Sequence, residues 1–263
     1  MTGTFIELII ILAIVLFHEL GHFMMATYFK WRIRSVMLWI FGGVMDTDEH
    51  GNKPLFQDIL VTIAGPLQHI VLFILILLSS SLNILSPSVM ELVLYYNTIL
   101  LVFNLLPIWP LDGGKLLSAI LSLFLPFKKA YDIVILFSIA AALACILVQL
   151  FLIPFNLSVL CIMLFLMVEN KTEWKQRFYV FIRFLLKRYE GNPSIRNIEP
   201  IIVPSQATMM DVFERFKRDK SHAIYIIYPS SIRKSIDENE CLHNYFYERH
   251  YYKSIGEVAD LHT

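Results

Sequence analysis

The chain is short of charge. Of its 263 residues only 17% are Asp, Glu, Lys or Arg, against about 25% in soluble globular proteins. Twenty-two basic and twenty-two acidic residues cancel to a formal net charge of zero. No global field draws in a polyanion and no basic block forms a patch for one, so no nucleic acid is expected as a partner. Cysteine is scarce as well, with three in the chain. Cys145 and Cys161 sit within apolar runs and Cys241 in the polar tail, with no paired spacing, which excludes a disulfide framework and fits a cytosol-facing tail. The first apolar run lacks both a basic segment ahead of it and a small-residue cleavage site, so it does not read as a removable signal peptide.

What the chain has in excess is apolar surface, 57% of residues against about 45–50% in soluble proteins. Phe and Tyr are plentiful, which suits rings lying against lipid and at its interfaces. The sequence therefore reads as an integral membrane protein. The run from Thr4 to Tyr28 is long enough to cross a bilayer as a helix, which takes about 20 residues. Further runs cover Phe56 to Leu82, Val89 to Leu106, Leu116 to Leu125, Ile133 to Ile153 and Phe155 to Val168. As one straight helix, Val89 to Leu125 would be about 55 Å long, against a hydrocarbon core of about 30 Å. It must break, and "NLLPIWPLDGG" (Asn104 to Gly114) is where Pro107, Pro110, Gly113 and Gly114 oppose a continuous helix. Counted as one interrupted crossing, this gives an α-helical polytopic fold of about five spans. Lys30, Arg32, Arg34 and Lys53 follow the first span and Lys128 and Lys129 the third, whereas Ser79 to Ser88 and Ile153 to Asn156 contain no Lys or Arg. By the positive-inside rule the basic loops and the tail after Glu169 are cytoplasmic.

Inside the first span stands "LFHELGHFMM", Leu16 to Met25. A charge at mid-membrane costs roughly 3 kcal/mol or more, so something must compensate. His18 and His22, four apart, project from one helix face and can share one ion. Glu19, about 100° away, can reach a water on the open side of that ion. This is the arrangement of a zinc hydrolase. A catalytic zinc usually takes three protein ligands. The best third candidate is Asp112, the one acidic residue between Glu91 and Asp132, placed in the Pro/Gly break. Irregular backbone at membrane depth is tolerated where it is buried in protein or lines a watery cavity. The other reading of Asp112 is an ordinary cytoplasmic turn with Lys115 snorkelling beside it. The functional reading is a metal-dependent endopeptidase; a metal transporter or an inactive scaffold are the rivals, and the intact Glu19 argues against the last.

"HELGH", "GPLQH" (Gly65 to His69) and "NLLPIWPLDGG" resemble the site-2 protease family of intramembrane zinc metalloproteases. "FGGVMDTDEHGNKPL", "LLPIWPLDGGKLL" and the tail's "DENECLHNYF" extend the likeness, within that family, to a sporulation protease over nearly the whole chain. The resemblance implies that His18, His22 and Asp112 are the Zn2+ ligands, one ion per subunit, and Glu19 the catalytic residue, with Asn104 and Pro110 in substrate handling near the metal. It implies a C-terminal CBS domain with ATP as ligand. It also implies a homo-oligomer in the lipid bilayer and a membrane-associated substrate, pro-sigma-K. Two inhibitory membrane proteins are implied as partners, and the forespore outer membrane as location, with the C-terminal domain in the mother-cell cytoplasm. The pattern it resembles carries one further span ahead of the first seen here.

The expected organisation is a transmembrane metalloprotease domain at 1–170, an amphipathic linker at 171–191 and a CBS-like regulatory domain at 192–263. In the tail, "IIV" and "HAIYIIY" read as strands and "ATMMDVFERFKRD" as a helix. "WIFGGVMD" (Trp39 to Asp46) reads as a hairpin whose free edge, around Gly42 and Gly43, adds the substrate as a strand; a plain connecting hairpin is the alternative. His69 reads as a polar residue satisfied by a neighbouring helix, with cavity lining as the alternative. His50, His222, His243, His250 and His262 are given no metal role.

Overall fold

The computed structural model describes residues 2–39, 42–47, 51, 53–81, 86–151, 154–191, 197–229 and 233–261. His50 and His262 lie outside them. Helix α1 (Thr2–Tyr28) is rich in Leu, Ile, Phe and Met on both sides of the HELGH turn. It ends in a Schellman turn without glycine: Lys30 adopts φ 56°, its N–H donates to the Thr27 carbonyl at 2.9 Å, and Trp31 N–H reaches back to Ala26 at 2.9 Å. Burial of Trp31 against Ala26 and Val61 supplies the apolar contact that accompanies such a cap. The chain then forms an antiparallel hairpin of β1 (Ile33–Trp39) and β2 (Gly42–Thr47), pairing Trp39 with Gly42 and Leu38 with Gly43. The hairpin lies beside α1.

Helix α2 (Leu55–Ser81) carries Pro66 internally, and α3 (Pro87–Asn104) opens with Pro87 after Ser86. The break expected from prolines and glycines follows directly. Residues 105–111 form tight turns, with Ile108 N–H to Leu106 O at 2.7 Å and Leu111 N–H to Ile108 O at 2.9 Å, and the Trp109–Pro110 bond is cis. Helix α4 (Asp112–Phe124) starts at the aspartate itself. Helices α5 (Phe127–Phe151) and α6 (Leu157–Tyr189) follow. Among the described residues three helices are long and apolar enough to cross a membrane: Phe5–Tyr28, Leu55–Ser79 and Phe127–Phe151. The stretch set apart above as a linker contains no break up to Tyr189.

Two compact units emerge, one of Met1–Ala119 with Val134–Thr172, the other of Ile120–Ile133 with Glu173–Thr263. In the second, β3 (Asn197–Pro204), α7 (Met209–Phe213), β4 (Lys220–Ile227), β5 (Arg233–Asp237), α8 (Glu238–Phe246) and α9 (Ile255–Asp260) follow in order. The sheet order is β3-β4-β5, with β3 parallel to β4 and β5 antiparallel. Alternation sends Ile201, Val203, Ile224, Ile226 and Ile236 into a core closed by Phe181, Phe184 and Leu185 of α6, as the two-residue period of a strand requires. Helix α7 is far shorter than "ATMMDVFERFKRD" suggested. Its amphipathic pattern continues, but Arg215 and Phe216 make three-residue turn bonds to Val212 and Phe213, and Phe216 is drawn into the core.

Candidate metal centre

His18, Glu19 and His22 are each 5% exposed and Asp112 4%. One turn of α1 separates the two histidines, so both rings leave the same face toward α2. Glycines make that approach possible. A Cβ on Gly21 would collide with the Ala64 carbonyl, and one on Gly65 would collide with the imidazoles of His22 and His18.

The rings converge on the first residue of α4. His18 Nε2 and His22 Nε2 are 3.1 Å apart, and Asp112 Oδ2 is 3.1 Å from the first and 3.2 Å from the second. These three atoms form a nearly equilateral triangle. Ligands on tetrahedral zinc, each about 2.0–2.1 Å from the ion, are about 3.3 Å apart. The donor set is also chemically suited. His22 Nδ1–H donates to the Val61 carbonyl at 2.8 Å, which leaves its Nε2 a bare lone pair, the state a metal ligand needs. Asp112 Oδ2 is fully buried and makes no ordinary hydrogen bond among the described residues. An anionic oxygen in that position would be costly unless a cation sits beside it. Its other oxygen, Oδ1, faces Lys115 Nζ at 3.6 Å. The ligand atoms offered by His18, Glu19 and His22 all fall within 4.8 Å of one another, so the Glu19 carboxylate stands at the rim of the same cluster.

Asp112 is held from behind. The Trp109 N–H donates to Ser138 Oγ of α5 at 2.8 Å, and Asn170 of α6 donates to the Trp109 carbonyl at 2.5 Å. Ile108 packs with Ile146, Met163 and Leu166. Asn104 closes α3 and Pro110 lies two residues before Asp112, at opposite ends of the same turn segment. Gly42 and Gly43 lie in β2, paired to Trp39 and Leu38.

Several members of this neighbourhood were not singled out from sequence: the Val61 carbonyl, Asn97, Ser138 and Asn170. The available signal was that Asn97, Ser138 and Asn170 interrupt or flank apolar runs, where a polar side chain needs a partner. His69 is 1% exposed. Its Nδ1–H donates to Asn97 Oδ1 at 2.7 Å and Asn97 Nδ2 donates back to the His69 carbonyl at 3.1 Å, so a neighbouring helix does satisfy one of its nitrogens. Glu7, nearer the start of α1, accepts from Tyr96 Oη of α3 at 2.8 Å.

An HExxH turn buried on an apolar helix and facing an aspartate at the head of a later helix defines a metalloprotease working among membrane helices. The chain matches Peptidase family M50 over residues 6–85 and 79–147; it belongs to that family and is a metalloendopeptidase of the site-2 protease type. The family resemblance drawn from the motifs is thereby borne out. The chain is 40% identical to Stage IV sporulation protein FB of Bacillus subtilis over 259 residues, 98% of this chain and 90% of that one. It is 31% identical over 160 residues to a zinc metalloprotease of Methanocaldococcus jannaschii, covering 60% of this chain and 46% of the other. The solved site-2 protease of the same archaeon aligns with a TM-score of 0.54 and 28% identity over 63% of this chain and 76% of that one. Relatives named as zinc metalloproteases imply zinc as the metal, and membership of the family together with three long apolar helices implies a membrane environment.

Proposed function

We propose that His18, His22 and Asp112 hold one Zn2+ and that Glu19 is the general base of peptide hydrolysis. The observation that carries this is the triangle of Nε2, Nε2 and Oδ2 with sides of 3.1, 3.1 and 3.2 Å. Zinc bound there supplies Lewis-acid polarisation of the scissile carbonyl and of the attacking water. Glu19 takes the proton of that water as it attacks and passes it to the leaving amine. Val61 fixes the tautomer of His22, and Lys115 holds the second oxygen of Asp112 so that the first stays turned toward the histidines. Buried among apolar helices, the centre reaches only a membrane-associated chain. Extended backbone is needed at a peptidase site; β2, with Gly42 and Gly43, offers an edge for it, and Asn104 and Pro110 frame the turn that leads to the metal.

The substrate proposed is pro-sigma-K, on the strength of the 40% identity to a sporulation protein and of the motifs shared with it. The rest of the reading follows from that likeness. Five spans, one interrupted, would place the C-terminal unit in the mother-cell cytoplasm at the forespore outer membrane, where inhibitory membrane proteins act on a homo-oligomer. The strand and helix order β3-α7-β4-β5-α8 supports a CBS-like unit, and the likeness alone proposes ATP as its ligand. Three parts are proposed: a protease domain at 1–170, a connecting segment at 171–191 and the CBS-like unit at 192–263.

Co-expression of the chain with pro-sigma-K, as native protein and as Glu19→Gln, tests the reading by gel shift of the product. Cleavage by the native form and none by Glu19→Gln is expected, with zinc content equal in both. Cleavage that survives Glu19→Gln would remove the mechanism. Metal transport, or substrate binding without cleavage, unaffected by the substitution would instead favour the rivals.

A further inference from the structure

One helix face of α2 meets the histidine pair at regular intervals. Val61, Gly65 and His69 are spaced by four residues, which puts them on one stripe of the helix. Val61 accepts the Nδ1–H of His22 and Gly65 makes room for both rings. His18 has no such acceptor: its Nδ1 is fully buried without a hydrogen-bond partner among the described residues. If its Nε2 ligates a metal, Nδ1 must carry the proton, and a buried N–H with no acceptor loses its hydrogen bond to water without replacement.

The complement lies next to it. His69 Nε2 is the other fully buried imidazole nitrogen without a partner among the described residues, and the rings of His69 and His18 have centroids 5.0 Å apart at 49°. The state of His69 is set by Asn97. Because Asn97 Nδ2 donates to the His69 carbonyl, its Oδ1 faces the ring and accepts from Nδ1–H. His69 Nε2 is therefore a lone pair. An orphaned donor and an orphaned acceptor thus sit on neighbouring buried rings.

We propose that His69 is a positioning residue for His18: with zinc bound, His18 Nδ1–H donates to His69 Nε2, and Asn97 holds His69 in the tautomer that can accept. The inference rests on the zinc reading above. It makes the relay Asn97–His69–His18 the counterpart, for one ligand, of what the Val61 carbonyl does for the other. The general expectation for a group that orients a metal ligand is a 10–100-fold change in metal affinity on its loss, roughly.

The test uses the full chain in lipid nanodiscs, with zinc affinity measured by chelator competition for the native protein, His69→Phe, His69→Gln and Asp112→Ala. Expected is weaker binding for His69→Phe by about 10–100-fold, recovery to within a few-fold for His69→Gln, whose amide oxygen restores an acceptor, and loss of binding for Asp112→Ala. His69→Phe binding zinc as tightly as the native chain, while Asp112→Ala does not, overturns the positioning role alone. Full binding by Asp112→Ala strikes instead at the proposed ligand set. On the native zinc-loaded chain, 15N-histidine NMR gives an answer that needs no variant to fold. A coupling between His18 Nδ1 and His69 Nε2 is expected, and its absence with zinc bound overturns the hydrogen bond.

Discussion

Two buried polar sites, one in each unit, are built in opposite ways. In the C-terminal unit the Arg188 guanidinium is wrapped. It meets both oxygens of Glu238, at 2.5 and 2.9 Å, and the carbonyls of Lys217 and Arg218 at 2.9 and 3.0 Å. His222 beside it donates through Nδ1 to the Glu199 carbonyl at 3.1 Å and accepts at Nε2 from the Lys217 N–H at 2.9 Å. At the histidine cluster of the N-terminal unit, His18 Nδ1, His69 Nε2 and Asp112 Oδ2 are buried and left over among the described residues. Satisfied burial fixes a fold, whereas convergent unsatisfied burial leaves binding capacity for something the chain does not itself contain.

That contrast can be broken in graded steps. The largest effect belongs to Glu19→Gln, which should lower turnover by about 10²–10⁴-fold, the usual range for a general base, with zinc content and thermal stability unchanged; a fall in zinc content of the same size would make Glu19 a ligand instead. Next is Glu238→Leu, which strands the Arg188 charge in a site where both partners are at most 5% exposed. Removing one partner of such a pair costs about 3–5 kcal/mol, read as early melting of the C-terminal unit by limited proteolysis against temperature. Joint replacement of Arg188 by Met and Glu238 by Leu should recover much of that loss, and failure to recover would show that the carbonyl contacts carry the stability. Smaller again is Gly65→Ala. Its Cβ meets both imidazoles, and overpacking of this kind costs about 1–3 kcal/mol, so zinc should bind more weakly while the C-terminal unit melts as before. Equal zinc affinity would mean that the rings have room to retreat.

The smallest effect is in pH. Burial, opposed by the hydrogen bond to the Glu199 carbonyl and the nearby Glu238, holds His222 below its ordinary value of 6.5. The folded C-terminal unit therefore binds this proton less readily than the unfolded chain does. Stability from His222 is present above about pH 6.5 and is lost as pH falls from there toward the folded value. Melting midpoints compared at pH 7.5 and 5.5 should drop more for the native chain than for His222→Asn. Equal drops would show that the ring is free to charge.

How much of this was legible beforehand depends on whether a residue announces itself alone or only through its partner. His18, Glu19 and His22 stand out because ionisable groups inside an apolar run demand an explanation, and the prolines and glycines of 104–114 mark a break that no tertiary contact is needed to see. The hairpin at Gly42 and the strand "HAIYIIY" follow from local pattern in the same way. Asp112 could be named a candidate, but an ordinary turn with Lys115 fitted the same letters. Its distances to the two histidines settle which of its oxygens faces them, and no spacing rule contains that. Asn97, Ser138 and Asn170 carry no local signal beyond polarity, since their roles lie in which carbonyl or ring the fold brings to them. The overlong reading of α7 has a similar cause: its apolar period continues past Phe213, but Phe216 is drawn to the core by packing rather than by helical continuation.

The turn that carries Asp112 is clasped through Trp109 by Ser138 and by Asn170, residues that leave the ribosome well after the histidines. A nascent chain that has inserted its first helices holds an HELGH turn but not yet the clasp that fixes Asp112, the proposed third ligand, beside it. The site proposed for the metal therefore takes its final shape only once the sixth helix has been made and seated.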